Sequence, residues 1–170
     1  INSNTILSLI TLANAESHNF TSESLFKNAS DTWSKNSYKK LYFWLKNKGL
    51  PIKDLYIADA SGLSRSNRVT TNLIASFLYK MQFNNNYEFY ASTLSIMGVR
   101  GTLANSLVNN KIKGKFFGKT GTLSNVFSLS GYFHKNNKIY SISIIQNSNL
   151  IDKNKIFKFL NEVYEINDCK

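Results

Sequence analysis

Cysteine, proline and histidine are all scarce in this 170-residue sequence, and the scarcity excludes several kinds of structure and site. The single cysteine, Cys169, lies beside the C-terminus, so the chain has no internal disulfide framework; it fits a reducing compartment or an envelope protein that avoids cysteine. The two histidines, His18 and His134, are far apart, so we expect no metal site of familiar spacing, and no other cofactor is indicated. No apolar run approaches the roughly 18 residues of a membrane-spanning helix, so no transmembrane segment is expected.

Acidic residues are also few: the sequence has 10 aspartates and glutamates and 21 lysines and arginines, which gives a formal charge of +11. Such an excess is typical of proteins with an anionic partner such as nucleic acid. The lysines are scattered, however, and the chain is rich in Asn, Lys and Ile throughout, which indicates a compositional bias. No nucleic-acid-binding module is recognised, so we expect no nucleic-acid partner.

The length predicts one folding unit, since 170 residues are enough for one core and few for two. The chain begins at Ile1, without a basic and apolar leader. We interpret it as a processed product or an excised piece of a longer protein.

The first thirty residues predict two helices. Ser3 or Asn4 is expected to cap the first, whose apolar residues recur at helical spacing. Helicity lapses over residues 15–19, and Thr21 or Ser22 is predicted to cap a short second helix.

Helical patterns continue up to the middle of the chain. A third helix is predicted over residues 34–48, followed by a short strand at 55–58. Thr70 or Thr71 is expected to cap a further helix, which the three asparagines at 84–86 end. A less regular segment follows them.

From residue 115 the apolar period changes to two. Strands are predicted at 115–119, 125–134 and 138–146, with a hairpin turn at 135–137, and an amphipathic helix at 151–166. Helices followed by an antiparallel sheet and a covering helix indicate an α+β fold.

The most informative motif for function is Lys119-Thr120-Gly121-Thr122, at the predicted end of an edge strand. An ammonium, two hydroxyls and a glycine suit a peptide that ends in a carboxylate. The peptide backbone could pair with the strand, Gly121 would allow close approach, and Lys119, Thr120 and Thr122 could hold the negative charge. A solvated edge lysine is the alternative, but the small polar neighbours favour a groove.

Ser17 and Asn19 form a second candidate pair where helicity lapses. In a bent loop the serine hydroxyl could pass a proton and the Asn19 amide could bind a peptide carbonyl. The alternative is that both residues only punctuate helices, since Ser and Asn favour caps and turns.

A serine nucleophile is harder to find. Ser-x-x-Lys puts an amine one helical turn from a hydroxyl, and it occurs at 24–27 and at 37–40. Both lie in stretches where lysine is abundant and are typical of ordinary exposed helix faces. His18 and His134 have no obvious acidic partner, so no Ser-His-Asp triad is indicated.

Three segments, in order and spacing, resemble one known family. They are residues 59–67 (Asp-Ala-Ser-Gly-Leu-Ser-Arg-Ser-Asn), Ser17-His18-Asn19, and Lys119-Thr120-Gly121-Thr122. The chain resembles the D-alanyl-D-alanine carboxypeptidase/endopeptidase family, low-molecular-mass penicillin-binding proteins related to serine β-lactamases. Ala60 stands where the family commonly has glycine, and His18 where it often has aspartate.

The resemblance implies a partial serine β-lactamase/transpeptidase-like fold, in which residues 1–170 are the C-terminal portion of the penicillin-binding domain. The family's motifs Ser-x-Asn and Lys-Thr-Gly fall on Ser17, Asn19 and Lys119–Gly121. The family's upstream Ser-x-x-Lys portion and its inserted domains have no counterpart here, so we expect the chain alone to be inactive. Such a fragment would expose apolar surface and could self-associate.

By the same resemblance, the whole enzyme would attack the D-Ala-D-Ala amide of peptidoglycan stem peptides through an acyl-enzyme. Ser17 would relay a proton with the help of Lys119, and Asn19 would orient the substrate. Thr120 and Thr122 would bind the terminal carboxylate. A periplasmic or envelope location and reaction with β-lactams are implied too. A non-catalytic peptidoglycan-binding module and, less favoured, a nucleic-acid-binding domain are the alternatives.

Overall fold

A computed structural model describes residues 3–29, 36–106 and 111–166. Its helices are α1 (Ser3–Ala15), α2 (Asn19–Asn28), α3 (Asn36–Asn47), α4 (Thr71–Met81), α5 (Tyr87–Ser92) and α6 (Lys153–Glu165), with a 3-10 turn at Gly101–Leu103. Its strands are β1 (Ser95–Ile96), β2 (Phe116–Leu123), β3 (Val126–Lys135) and β4 (Lys138–Asn147). The predicted α+β class is confirmed.

The strands form one antiparallel sheet in the order β1-β2-β3-β4. Asn136 and Asn137 both have a positive φ (49° and 60°), as a tight hairpin turn between β3 and β4 requires. The predicted meander and its turn are therefore confirmed, with strand ends within a residue for β3 and β4.

The sheet has a core on each face because the side chains of β3 alternate. Phe127, Leu129 and Phe133 pack against Phe157 and Leu160 of α6. On the opposite face Tyr132 packs with residues of α4 and α5, and its hydroxyl donates to the carbonyl of Leu78 (3.1 Å). A smaller cluster joins α3 to α4 through Leu45, Leu50 and Leu73.

The ends of most helices agree with the sequence. Thr70 caps α4 by accepting a hydrogen bond from the N–H of Leu73 (3.1 Å), as predicted. The predicted cap of α2 at Thr21 or Ser22 is wrong: α2 begins at Asn19, and Nδ1 of His18 accepts from the N–H of Thr21 (3.3 Å). A histidine nitrogen here replaces the hydroxyl that capping rules favour. The predicted start of α3 at residues 34–35 lies outside the described residues.

One other local prediction was wrong. Residues 55–58 form no strand but a single bridge between Tyr56 and Arg68, because side chains of the following loop bind the neighbouring backbone groups. The less regular segment after the three asparagines contains only short elements, namely α5, β1 and the 3-10 turn.

The strand predicted at 115–119 instead runs over Phe116–Leu123. The Lys-Thr-Gly-Thr motif is consequently inside β2 and not at its end. Cross-strand pairing with β3 continues to the pair Leu123–Val126, which places the motif at a fixed register beside β3.

Candidate active site

The site is built around a contact between the Lys119 side chain and the end of α1. Nζ of Lys119 donates to Oγ of Ser17 (2.7 Å) and to the carbonyl of Thr120 (2.7 Å). Ser17 and Lys119 are 102 residues apart in sequence. Folding therefore brings the Ser17 bend beside the Lys-Thr-Gly-Thr strand, as the sequence interpretation requires.

The backbone at the end of α1 directs the serine. Ser17 has a φ of +59°, a conformation that non-glycine residues rarely adopt. The next amide, that of His18, donates back to the carbonyl of Leu12 (3.2 Å) and closes the helix end. The half-buried Ser17 hydroxyl is thereby held at a sharp bend.

Burial changes the chemistry of the lysine. Desolvation lowers the pKa of Lys119 below its usual value of 10.5, because the ammonium has lost part of its hydration. An anionic ligand beside Nζ would stabilise the ammonium form and oppose this shift. The site therefore favours a negatively charged group.

The outer edge of β2 is open next to this lysine. β1 pairs only with Phe117 and Gly118, so among the described residues no strand lies beyond Lys119–Leu123. The carbonyl of Phe116 accepts from Met97 on the outer side, and backbone groups alternate in direction along a strand. The N–H and C=O of Thr122 consequently point to the open edge.

A cavity of about 370 Å³ lies along this edge. Ser17, Thr120 and Thr122 are three of the predicted site residues that line it. The full lining is Ser17, Thr102, Asn105, Ser106, Thr120, Thr122, Phe127, Lys153 and Phe157. Its mixture of hydroxyls, an amide, a lysine and two phenyl rings suits a small peptide with a charged end.

Three predicted site residues, Lys119, Asn19 and Gly121, are not among those that line this cavity. Lys119 contacts it through Ser17 and Thr120, to which its Nζ donates. Asn19 is exposed as the first residue of α2. Gly121 pairs with Ser128 across the sheet, and a Cβ on it would lie 2.5 Å from Oγ of Ser128. A side chain at position 121 would therefore require the Ser128 hydroxyl to rotate away.

Sequence reasoning missed a line of hydroxyls that runs from the cavity lining to the buried Ser95. Oγ1 of Thr120 donates to Oγ1 of Thr102 (2.8 Å), which lies 3.1 Å from Oγ of Ser95. Ser95 in turn donates to the carbonyl of Ala15 (3.0 Å). The only sequence signal was Gly101, whose φ of +67° marks the turn that carries Thr102.

The distinctive loop at 59–67 is organised by its own carboxylate. Asp59 accepts from the N–H groups of Gly62 (2.7 Å) and Ser64 (2.6 Å) and from Nδ2 of Asn67 (3.1 Å). Burial raises the pKa of Asp59, but these hydrogen bonds outweigh it and the net pKa lies below the usual 3.8. The loop is therefore held as an ionised, hydrogen-bonded unit.

The same loop joins α2 to the β2–β3 turn. On one side the N–H of Ala60 donates to Glu23 (2.8 Å) and Ser22 donates to the carbonyl of Ala60 (2.7 Å). On the other side Arg65 donates to the carbonyl of Ser124 (2.8 Å) and to its hydroxyl. The loop thus supports both segments that carry site residues.

The alternative nucleophiles are not at this site. Lys27 pairs with Glu23 on its own helix (3.3 Å), and Ser37 donates to the carbonyl of Lys27 (3.5 Å). None of the residues that line the cavity belongs to either Ser-x-x-Lys segment. His134 lies against Phe117, away from Ser17 and Lys119 in the sheet register.

The described residues contain neither a candidate metal cluster nor a candidate membrane-spanning helix. Over 3–29, 36–106 and 111–166 no group of three His, Cys, Asp or Glu residues could hold a metal ion. No helix within these ranges is long and apolar enough to cross a membrane.

The family of this chain follows from its sequence. The model of the D-Ala-D-Ala carboxypeptidase 3 (S13) family matches residues 1–162, so the chain belongs to that family. The resemblance seen in the sequence is confirmed.

Two curated relatives are bacterial. The chain is 32% identical over 108 residues to a D-alanyl-D-alanine carboxypeptidase of Actinomadura sp. (strain R39), covering 61% of this chain and 20% of that protein. It is 31% identical over 90 residues to DacB, a D-alanyl-D-alanine carboxypeptidase of Haemophilus influenzae, covering 52% and 19%. The matched part thus spans about a fifth of each relative.

Solved structures share the fold. Penicillin binding protein 4 (DacB) from Haemophilus influenzae, complexed with a β-lactam, gives a TM-score of 0.79 at 23% identity, covering 92% of this chain and 40% of that one. A predatory endopeptidase from Bdellovibrio bacteriovorus gives 0.72 at 15% identity, covering 94% and 43%. The predicted penicillin-binding-protein fold is confirmed.

Proposed function

We propose that this chain is part of a serine-type D-Ala-D-Ala carboxypeptidase/endopeptidase that hydrolyses peptidoglycan stem peptides through an acyl-enzyme. Family membership and the names of the curated relatives support this reaction class. The observation that carries it is the 2.7 Å contact between Lys119 and Ser17, because it joins two family motifs at one cavity. The periplasm or cell envelope is the proposed location, since peptidoglycan lies there.

In this proposal Ser17 and Lys119 handle protons and charge. The Ser17 hydroxyl passes a proton to the leaving amine, and the ammonium of Lys119 stabilises the developing negative charge nearby. Asn19 orients the substrate amide from the exposed start of α2, where a peptide lying along the bend would reach it.

The β2 edge binds the end of the peptide. The hydroxyls of Thr120 and Thr122 lie at the cavity and face the substrate carboxylate. Gly121 keeps the strand free of a side chain between them. The Thr122 N–H, which points to the open edge, supplies one donor for the oxyanion.

We propose that the nucleophilic serine and its lysine lie in a part of the protein outside this sequence, together with the inserted domains. The family resemblance assigns the nucleophile to the serine of a Ser-x-x-Lys segment, and neither such segment of this chain lines the cavity. Chain 1–170 alone is then inactive. Its exposed apolar side chains, such as Phe20 (77% exposed) and Phe89 (62%), would favour self-association, which sedimentation of the chain would measure.

Covalent labelling with a fluorescent penicillin tests the proposal. The protein including its upstream part should be labelled, and chain 1–170 should not. Ser17→Ala and Lys119→Ala should each slow labelling about 100-fold. Ser76→Ala removes a hydroxyl that donates to Asn72 within α4 and should leave labelling unchanged. Unchanged labelling of both site variants would refute the assigned roles, and labelling of chain 1–170 alone would refute the external nucleophile.

A non-catalytic peptidoglycan-binding module is the second candidate. The observation in its favour is a cavity that has the carboxylate-binding strand but no Ser-x-x-Lys segment in its lining. Such a module would bind a D-Ala-D-Ala peptide reversibly, and the longer protein would not be labelled by penicillin.

A further inference from the structure

A second pocket lies beside the last turns of α3 and α4. Its volume is about 170 Å³, which leaves room for one six-membered ring with its substituents and not for a longer ligand. Three aromatic rings and three polar side chains form most of its lining: Trp44, Phe77, Phe83, Lys48, Lys80 and Asn84. None of its lining residues lines the cavity beside Ser17.

The aromatic side chains of this pocket are held in place and yet remain exposed. Trp44 packs edge-on against Phe77 with ring centroids 6.2 Å apart, and Phe83 packs against Tyr79 (5.2 Å). Trp44 is nevertheless 44% exposed and Phe83 73%. Rings that are fixed on one side and open on the other offer flat apolar faces, on which the C–H face of a pyranose ring stacks.

The charge around the pocket has one sign. Nζ of Lys48 lies 5.9 Å from the centre of the Trp44 ring, and Lys80 is exposed in the last turn of α4. No aspartate or glutamate occurs in residues 36–53 or 60–87, which include the whole lining. Neither lysine forms an ion pair within the described part of the chain. The two ammonium groups therefore favour an anionic group on the ligand.

The side-chain amide of Asn84 has a defined orientation. Its Oδ1 accepts from the backbone N–H of Asn86 (2.9 Å), and because that N–H can only donate, the oxygen of the amide is distinguished from its nitrogen. Nδ2 keeps two hydrogens for which the described residues provide no acceptor. The pocket thus offers N–H donors beside its rings, which suit a sugar hydroxyl or an acetamido carbonyl.

We propose that this pocket binds a pyranose ring that carries a carboxylate, the chemistry of an acidic sugar. The ring lies against Trp44 and Phe83, and Asn84 donates to one of its oxygens. The ammonium groups of Lys48 and Lys80 bind the carboxylate.

This site is separate from the cavity at the β2 edge. Phe77 packs against the core on the α4 side of the sheet, whereas Phe127 and Phe157 of that cavity belong to the core on the α6 side. A glycan held beside α3 and α4 would leave the β2 edge open for a peptide. The inference stands on the pocket alone, so its outcome is independent of penicillin labelling.

Three probes separate the parts of the ligand. N-acetylmuramic acid is compared with N-acetylglucosamine, which lacks the lactyl carboxylate, and with lactate, which lacks the ring. Each is titrated into chain 1–170, and the Trp44 indole N–H and the Asn84 side-chain amide resonances report binding. The acidic sugar should bind about fivefold more tightly than the neutral one, equivalent to two exposed ion pairs, and lactate should give no saturable shift.

Variants assign the contributions of the lysines and the ring. Lys48→Gln and Lys80→Gln should each lower the preference for the acidic sugar about twofold, and the double variant should remove it. Lys39→Gln, at an exposed lysine of α3 outside the lining, is the matched control and should leave it unchanged. Trp44→Leu should weaken both sugars about fivefold, as read from Asn84. The lysine variants keep the test decisive if Trp44→Leu fails to fold, because their side chains are exposed.

Four results would overturn the inference. The first two are a failure of both sugars to bind and an equal affinity for them, which would leave the lysines only the role of stabilising the helix C-termini. The third is a preference that survives in the double lysine variant. The fourth is a different occupant: binding to phosphatidylglycerol vesicles that Trp44→Leu abolishes would indicate a membrane surface, and shifts of Asn84 on dilution of the chain would indicate a second copy.

Discussion

The close approach of Gly101 to the end of α1 offers the most direct test of how the site is held together. Replacing Gly101 by alanine puts a Cβ 2.6 Å from the backbone oxygen of Ala15, two residues before Ser17. Gly49, just after α3, is a matched control, because its φ of +62° is close to the +67° of Gly101 and nothing lies within 4 Å of a Cβ there.

The two variants separate backbone strain from collision. Both alanines adopt an unfavourable left-handed conformation, which costs about 1 kcal/mol. Gly101→Ala also collides with backbone that cannot rotate away, and overpacking of this kind costs about 2 kcal/mol more. We expect the free energy of unfolding to fall by about 3 kcal/mol in Gly101→Ala and about 1 kcal/mol in Gly49→Ala.

Urea denaturation followed by circular dichroism measures both values. The amide resonance of Ser17 should shift in Gly101→Ala alone, since only that variant displaces the end of α1. Equal destabilisation of the two variants would show that α1 does not contact the turn this closely, and the position assigned to Ser17 would then be wrong.

Three further predictions concern the loop, the core and the strand. The lowered pKa of Asp59 adds stability above about pH 4, and this stability is lost as the pH falls through the pKa of the folded state. Asp59→Asn should therefore flatten the dependence of the urea midpoint on pH between about pH 2 and 6. An unaltered profile would contradict the loop assignment. Leu160→Ala should lower the free energy of unfolding by about 3 kcal/mol, and its half-exposed neighbour Phe159→Ala by less than about 1 kcal/mol; similar losses would contradict the packing of α6. Gly121→Ala should destabilise by about 1 kcal/mol and lose that effect in a Ser128→Ala background, where the colliding Oγ is absent; additive losses in a double-mutant cycle would contradict the β2–β3 register.

The open edge of β2 connects this fold to its chemistry. Among the described residues no strand lies beyond the outer edge of Lys119–Leu123, and the end of α1 places a hydroxyl against the lysine. The loop at 59–67 is hydrogen-bonded to α2 at one end and to the β2–β3 turn at the other. The sheet thus offers hydrogen bonds along the strand and charge at one point, the combination that a short carboxylate-ended peptide requires.

Local patterns were readable where short-range chemistry decides the structure. Period two predicted β3 and β4, and the pair Asn136-Asn137 predicted their turn, because few other residues tolerate a positive φ at two successive positions. Thr70 predicted the start of α4 for a similar local reason. The His18 cap was missed because its imidazole nitrogen serves as an acceptor only in the folded bend.

By itself the sequence determined the α+β class, most element ends and the family, through three short motifs that need no coordinates to be read. Only the tertiary structure decided three features. Lys119 donates to Ser17, β2 extends through the Lys-Thr-Gly-Thr motif, and a line of hydroxyl contacts joins Thr120 through Thr102 to Ser95. The physical reason is that each of these contacts joins segments separated by many residues. Their geometry is set by how α1, the 3-10 turn and the sheet pack together, and no pattern within a single segment records it.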